Sequence, residues 1–230
     1  MPTNEHPTSP TNRLPLEKQS SGIAGLDEVL HGGFPKQRIS LIRGGHGTGK
    51  TVFALHFLYA NACKGCPGLF VSFEESVEAI RRNAAAMGWD LESLEKENKL
   101  ALLSFDVGSE MILTGEFDIS STIAMIESKA ESIGAELCAI DAFDWLLSLY
   151  SSENDRRTHL LRLHRSWGRR PYTTIFTVKD AREEAGTLDY LCDCVVELDN
   201  RTDAQISVRR LRVTKYRGSG YLNNEHPYII

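Results

Sequence analysis

The chain has 230 residues, 41% of them hydrophobic, a composition that suits one α/β domain with a substantial core. Its formal charge of −5 at pH 7 argues against recruitment to nucleic acid or an anionic membrane by bulk electrostatics. No apolar run approaches the ~20 residues of a membrane-spanning helix and no apolar signal core opens the chain, so a cytoplasmic location is expected.

Residues 1–18, rich in Pro, Thr and Asn, read as a flexible tail, and residues 19–230 as one domain. Leu26, Val29 and Leu30 have helical spacing, stopped by Gly32-Gly33. Residues 38–43 form a short strand that runs into a glycine-rich loop. Residues 50–61 read as a buried helix, being apolar nearly all round. A strand at 69–72 and a helix at 77–87 follow, then a second helix at 91–96 with Asp90 as its N-cap. Next come a strand (100–105), an amphipathic helix (119–133), a buried strand (137–140), a helix (156–167) and a strand (172–177). Two last strands, 195–198 and 206–214, are expected to pair as a hairpin through 199–203, with a short strand at 228–230. Strands alternating with helices imply right-handed βαβ units on a mostly parallel central sheet flanked by helices; the helix-free C-terminal strands form an antiparallel edge.

Five cysteines (Cys63, Cys66, Cys138, Cys192, Cys194) in a chain read as intracellular are expected to be thiols. Cys63 and Cys66 have C-x-x-C spacing, but no second pair completes a zinc site, and a helix running into the Gly65–Pro67 turn accounts for them.

The chemistry begins at Gly44-Gly45-His46-Gly47-Thr48-Gly49-Lys50-Thr51, a G-x-x-x-x-G-K-T loop set between strand and helix. Glycines let such a backbone curl around phosphates, and its N–H groups and the following helix N-terminus point at the anion. The phosphate-binding positions are therefore Gly45, His46, Gly47, Thr48, Gly49, Lys50, Thr51 and Val52, with Lys50 reaching the β and γ phosphates and the Thr51 hydroxyl on Mg²⁺. The expected ligand is Mg-ATP. Asp141 ends the apolar run 137–140, where a carboxylate faces the ligand crevice and can hold the metal through water. Glu74-Glu75, directly after the 69–72 strand, offers a base for the attacking water; the bland alternative is a pair of acids meeting a helix dipole. Two such close carboxylates would raise one another's pKa. The basic run from Arg209 to Arg217 has three readings: guarding a sheet edge, binding nucleic acid, or forming a cationic finger toward a γ-phosphate. The acidic total and the lack of an aromatic–basic platform argue against nucleic acid as a partner.

These residues are joined by Ser21-Gly22-Ile23-Ala24-Gly25-Leu26-Asp27, Gly32-Gly33-Phe34-Pro35, Phe70-Val71-Ser72-Phe73-Glu74-Glu75-Ser76, Gly88-Trp89-Asp90-Leu91, Lys215-Tyr216-Arg217-Gly218 and Glu225-His226-Pro227-Tyr228. With that ordered set the chain resembles the KaiC-like ATPases of the RecA/RadA superfamily, from about residue 20 to 230. The resemblance implies a RecA-like P-loop fold and hexameric rings with ATP at subunit interfaces. It implies that Glu74 and Glu75 are the catalytic pair. It also implies that Lys215, Tyr216, Arg217 and Ser219 belong to the segment that meets the neighbouring subunit's nucleotide, with Lys215 and Arg217 as the finger. A slow, ring-forming regulatory or signalling ATPase with a regulatory protein partner is the leading expectation. Three alternatives stand beside it: a serine/threonine autokinase, a recombinase-like DNA-binding ATPase, and a scaffold that binds ATP without hydrolysing it. The clock members carry an adjacent Ser-Thr autophosphorylation pair, and here Asp189-Tyr190 occupies that place, which argues against the autokinase.

Overall fold

The structure, a computed structural model, describes residues 16–105, 119–148, 152–168, 170–179, 188–203 and 206–229. Its elements in chain order are β1 (Lys18–Gln19), α1 (Leu26–Val29), β2 (Phe34–Pro35), β3 (Ile39–Gly44), α2 (Lys50–Ala62), β4 (Gly68–Ser72), α3 (Val77–Ala86), α4 (Leu91–Lys96) and β5 (Leu100–Ser104). After these come α5 (Ile119–Ser132), β6 (Leu137–Asp141), α6 (Phe143–Ser148), α7 (Glu153–Trp167), β7 (Thr173–Val178), β8 (Cys194–Asp203), β9 (Ile206–Tyr216) and β10 (His226–Pro227).

Among the described residues the main sheet has eight strands in the order β10-β9-β8-β3-β7-β6-β4-β5. The strands from β8 to β5 run parallel, and β9 and β10 add the antiparallel edge. Side-chain alternation along the central strands feeds two cores, one per face. Ile42, Leu137, Ala139 and Ile175 join α2, α3 and α4 on one face. On the other face Leu41, Cys138, Ile140 and Phe176 join α5, α6 and α7. Phe57 of α2 is fully buried and meets Phe34 edge-on, with ring centroids 5.6 Å apart. Burying a ring of this size stabilises by about 2–3 kcal/mol, which makes α2 a firm support for the loop before it.

A buried amide fastens the chain's start to this layer. Asn61 donates to the carbonyls of Ser20 (3.0 Å) and Phe57 (2.8 Å) and accepts from Gln19 Nε2 (2.8 Å). Lys18 and Gln19 pair with Pro35 and Phe34 in a small two-stranded sheet that sequence periodicity did not signal. Gly33 has to be glycine there, with φ at +115° and the site of a Cβ only 2.2 Å from the Gln19 carbonyl oxygen.

Two expectations change. The turn placed at 199–203 is strand: Asp199 faces Arg210 and Asp203 faces Ile206, so the hairpin reverses after Asp203. Opposite charges across the ladder, Asp199 with Arg210 and Glu197 with Arg212, favour the longer pairing over a turn at the polar residues. The last short strand is His226–Pro227 rather than 228–230; Tyr228 continues beside it, its N–H bonded to the Arg209 carbonyl at 3.1 Å. Helix α6, directly after Asp141, had no signal long enough to read.

Candidate functional site

β3 ends at Gly44, and α2 begins at Lys50 behind Gly49, whose φ is +91°. Gly47, at φ +71°, makes the other left-handed step. A Cβ at Gly44 would meet the Leu198 carbonyl oxygen at 2.4 Å, whereas Gly45 and Gly47 face open space, leaving a cradle lined by backbone. Thr48, almost fully buried, turns inward and its hydroxyl donates to the Gly45 carbonyl at 2.9 Å. The Tyr228 hydroxyl donates to the Thr48 carbonyl, so the C-terminal segment braces the loop. His46 is exposed at the loop's tip.

Lys50 Nζ donates to the carbonyls of Gly44 (2.7 Å) and Gly45 (2.9 Å), at the mouth of the cradle. Burial lowers its pKa, against the opposing pull of the Asp141, Asp144 and Glu74 carboxylates. Thr51 points across the crevice, and its hydroxyl donates to Asp141 Oδ2 at 2.9 Å. Strand β7 lies between β3 and β6, and its Thr177 hydroxyl donates to the other oxygen, Asp141 Oδ1. Asp141 is 2% exposed; burial pushes its carboxyl up, and the two threonine hydrogen bonds only partly restrain it. A buried carboxylate and an alcohol oxygen at hydrogen-bonding distance are hard donors suited to Mg²⁺, which keeps several of its waters and needs few protein ligands.

The paired glutamates separate. Glu74 Oε1 accepts from Lys179 Nζ at 2.6 Å and its charge is felt at Lys50 and Asp141. Glu75 turns the other way and accepts from Asn83 Nδ2 on α3 at 2.9 Å. The Ser72 hydroxyl accepts from both backbone N–H groups, fixing the turn that divides them. The two carboxylates thus face different partners, not one another as their adjacency in sequence suggested. Lys179 and Asp144 complete this end of the crevice, and sequence patterns had singled out neither.

Lys215 and Arg217 lie elsewhere. In the β8–β9 ladder Lys215 pairs with Val195, which in turn pairs with Leu41 of β3. They are therefore about 10 Å down the sheet from Gly44 and two strands across, at the far end from the loop. Lys215 Nζ donates to the Asp189 carbonyl, and Arg217 to the Tyr190 carbonyl at 2.7 Å. Asp189 also receives Arg43, at 3.0 Å. Tyr216 points into the core: it is 6% exposed, its hydroxyl donates to the Gly33 carbonyl at 2.7 Å, and Lys18 Nζ lies 4.7 Å over its ring. The structure thus turns Tyr216 away from Lys215 and Arg217. Ser219 accepts from Lys18 Nζ at 2.7 Å, beside that core contact.

Much of the basic run is neutralised in place: Arg210 pairs with Glu225 and Arg212 with Glu197. These pairs line a polar cleft of about 650 Å³ that opens beside Gly44, Gly45 and His46 and runs along β8 and β9. All five cysteines are thiols. No group of three or more His, Cys, Asp or Glu residues is arranged to hold a metal among the described residues. No described helix is long and apolar enough to cross a membrane.

A strand–glycine loop–helix unit facing a buried aspartate on a nearby parallel strand defines a P-loop nucleotide-binding domain of RecA-like architecture. The chain belongs to the KaiC ATPase family, whose model matches residues 19–230. It is 36% identical over 228 residues to the circadian clock protein KaiC2 of Synechocystis, covering 97% of this chain and 40% of that protein. The KaiC of Thermostichus vulcanus is 33% identical over 235 residues, covering 98% of this chain and 45% of that protein. The chain thus spans less than half the length of these curated relatives. The KaiC-like protein PH0186 from the archaeon Pyrococcus horikoshii superposes with a TM-score of 0.83 at 30% identity, covering 94% of this chain and 96% of that structure.

Proposed function

We propose that the chain binds Mg-ATP and hydrolyses it slowly as one subunit of a ring, with each active site completed by a neighbour. The observation that carries this reading is the contact of Thr51 with Asp141 at 2.9 Å, which sets a hydroxyl and a carboxylate of the kind Mg²⁺ takes beside Lys50 at the mouth of the glycine cradle. Thr51 and Asp141 would hold Mg²⁺, which neutralises charge on the phosphates when bound. The cradle N–H groups and Lys50 bind and orient the phosphates. The cleft beside Gly45 and His46, of a size that suits a nucleoside, would take base and ribose.

Glu74 is the favoured base for the attacking water, because it faces Lys50 and Asp141 while Glu75 leans on Asn83. Lys215 and Arg217 cannot serve their own loop from the opposite end of the sheet. Their position suits a finger presented to the nucleotide of the next subunit, the arrangement that makes a head-to-tail ring; six subunits is the expected number. The ring's output would go to a regulatory protein partner.

Three measurements test this together. Lys50→Ala should abolish nucleotide binding in calorimetry. The double variant Glu74→Gln/Glu75→Gln should still bind ATP and release no phosphate; an unchanged rate of phosphate release would end the assignment of the base. Mass in solution should rise to a ring when Mg-ATP is added.

A further inference from the structure

Lys179 stands immediately after β7, the strand that separates the glycine loop's strand from that of Asp141. Its side chain therefore opens into the crevice between Lys50 and Asp141, at the end where a third phosphate would lie if the site is read as above. The carboxylates there are Glu74, Asp141 and Asp144, and the cations are Lys50 and Lys179. Without Lys179, a terminal phosphate would meet Glu74 and Asp144 with Lys50 alone of these two cations to screen them. Asp144 is half-buried, and burial pushes its carboxyl up against the opposing pull of its own and Lys179's backbone N–H groups and of the Lys179 charge; its Oδ1 is buried without a hydrogen-bond partner. Such an oxygen is costly unless a cation stays close to it. The ammonium of Lys179 is that cation, and its ion pair with Glu74 occupies one of its three N–H donors. A lysine stem is flexible, and the side chain is 40% exposed, so the head can be shared between two anions on one side of the crevice.

We propose that Lys179 is a specificity-determining and positioning residue, shared between Glu74 and the terminal phosphate of a bound nucleoside triphosphate. A triphosphate draws the ammonium toward its last phosphate, and the carboxylate of Glu74 is released toward water. A diphosphate leaves the Lys179–Glu74 pair as it is. The same cation thereby favours triphosphate over diphosphate and ties the availability of the base to the presence of the bond it helps to cleave. This rests on the reading of the site as an ATPase centre and adds a residue to it.

The test is equilibrium binding of a non-hydrolysable ATP analogue and of ADP, each with Mg²⁺, to wild type, Lys179→Met, Lys179→Arg and Glu74→Gln. Lys179→Met should weaken the triphosphate analogue by about tenfold, the worth of one hydrogen bond to a charged group, and leave ADP within about twofold. Lys179→Arg should recover most of the discrimination, which separates a lost charge from a damaged fold. Glu74→Gln should tighten the analogue and not ADP, because it frees the ammonium. If Lys179→Met shifts both nucleotides equally, or neither, Lys179 is only a structural partner of Glu74 and the proposal fails alone. A wild-type protein that binds neither nucleotide overturns the ATPase reading and this one with it.

Discussion

At the scale of single residues the site is a balance between burial and charge. Asp141 carries the clearest consequence. Its carboxyl is raised by burial, so the folded state holds the proton more tightly than the unfolded chain does. That contribution favours the fold below the ordinary carboxylate range and is lost as pH rises through the raised value. Above that raised value the carboxylate is charged, the form the proposed metal site needs, at a cost to the nucleotide-free fold. Asp141→Asn should therefore melt a few degrees higher than wild type at pH 7 without nucleotide, and the difference should vanish under acid conditions. The same variant should lose the extra thermal stabilisation that Mg²⁺ adds to ATP. A nucleotide-free variant that melts well below wild type at pH 7 would show that the carboxylate itself holds Thr51 and Thr177 in place. Lys50, Thr51 and Asp141 were legible in sequence because glycine spacing and a buried strand's end are local patterns. Lys179 and Asp144 were not. Their place depends on β7 inserting between β3 and β6, a sheet order that no local periodicity encodes.

At the scale of elements the informative unit is the junction of β3 with the β8–β9 hairpin. Arg43, the penultimate residue of β3, has 14% of its side chain exposed and is held by Asp189 and Glu197. Glu197 in turn receives Arg212 from β9. Burial pushes Glu197 up, but the hydrogen bonds from Arg212 and Arg43 outweigh it and hold the carboxyl below its ordinary value. That pairing stabilises above the unfolded carboxylate range and is lost as pH falls through the lowered value. Arg43→Met leaves two acids without their shared cation and should cost about 3 kcal/mol in urea unfolding at pH 7. The cost should shrink in acid as Glu197 protonates; a cost independent of pH would mean that lost packing, not charge, is responsible. Element existence was largely readable, since α2 and the parallel strands are strongly patterned. The hairpin's reach was not, because Asp199, Asn200 and Asp203 are turn residues by composition and become strand through cross-strand pairs. Tyr216 carries a related lesson. Strand alternation already sets it opposite Lys215 and Arg217, and the resemblance alone had grouped the three.

At the scale of the whole molecule the sheet separates the two halves of the proposed site. The cradle lies at the C-terminal ends of the parallel strands, and Lys215 and Arg217 lie near their opposite ends. One chain cannot close that gap by side-chain motion, so the proposed activity is a property of an interface. In a head-to-tail ring each interface takes its loop from one subunit and its finger from the next. This makes complementation a sharper test than any single variant. Lys50→Ala destroys the loop half and leaves the finger; Arg217→Ala destroys the finger half and leaves the loop. Each alone should hydrolyse no ATP above background. Mixed in equal amounts and allowed to exchange, they form interfaces at random, and about one quarter join an intact loop to an intact finger. The mixture should therefore recover a fraction of wild-type phosphate release near that value, growing with total protein concentration. Recovery absent under conditions where mixed rings are seen by mass would place the finger in its own subunit's site. An Arg217→Ala protein that is fully active alone would assign Arg217 only its observed partners, the Tyr190 carbonyl and Asp193.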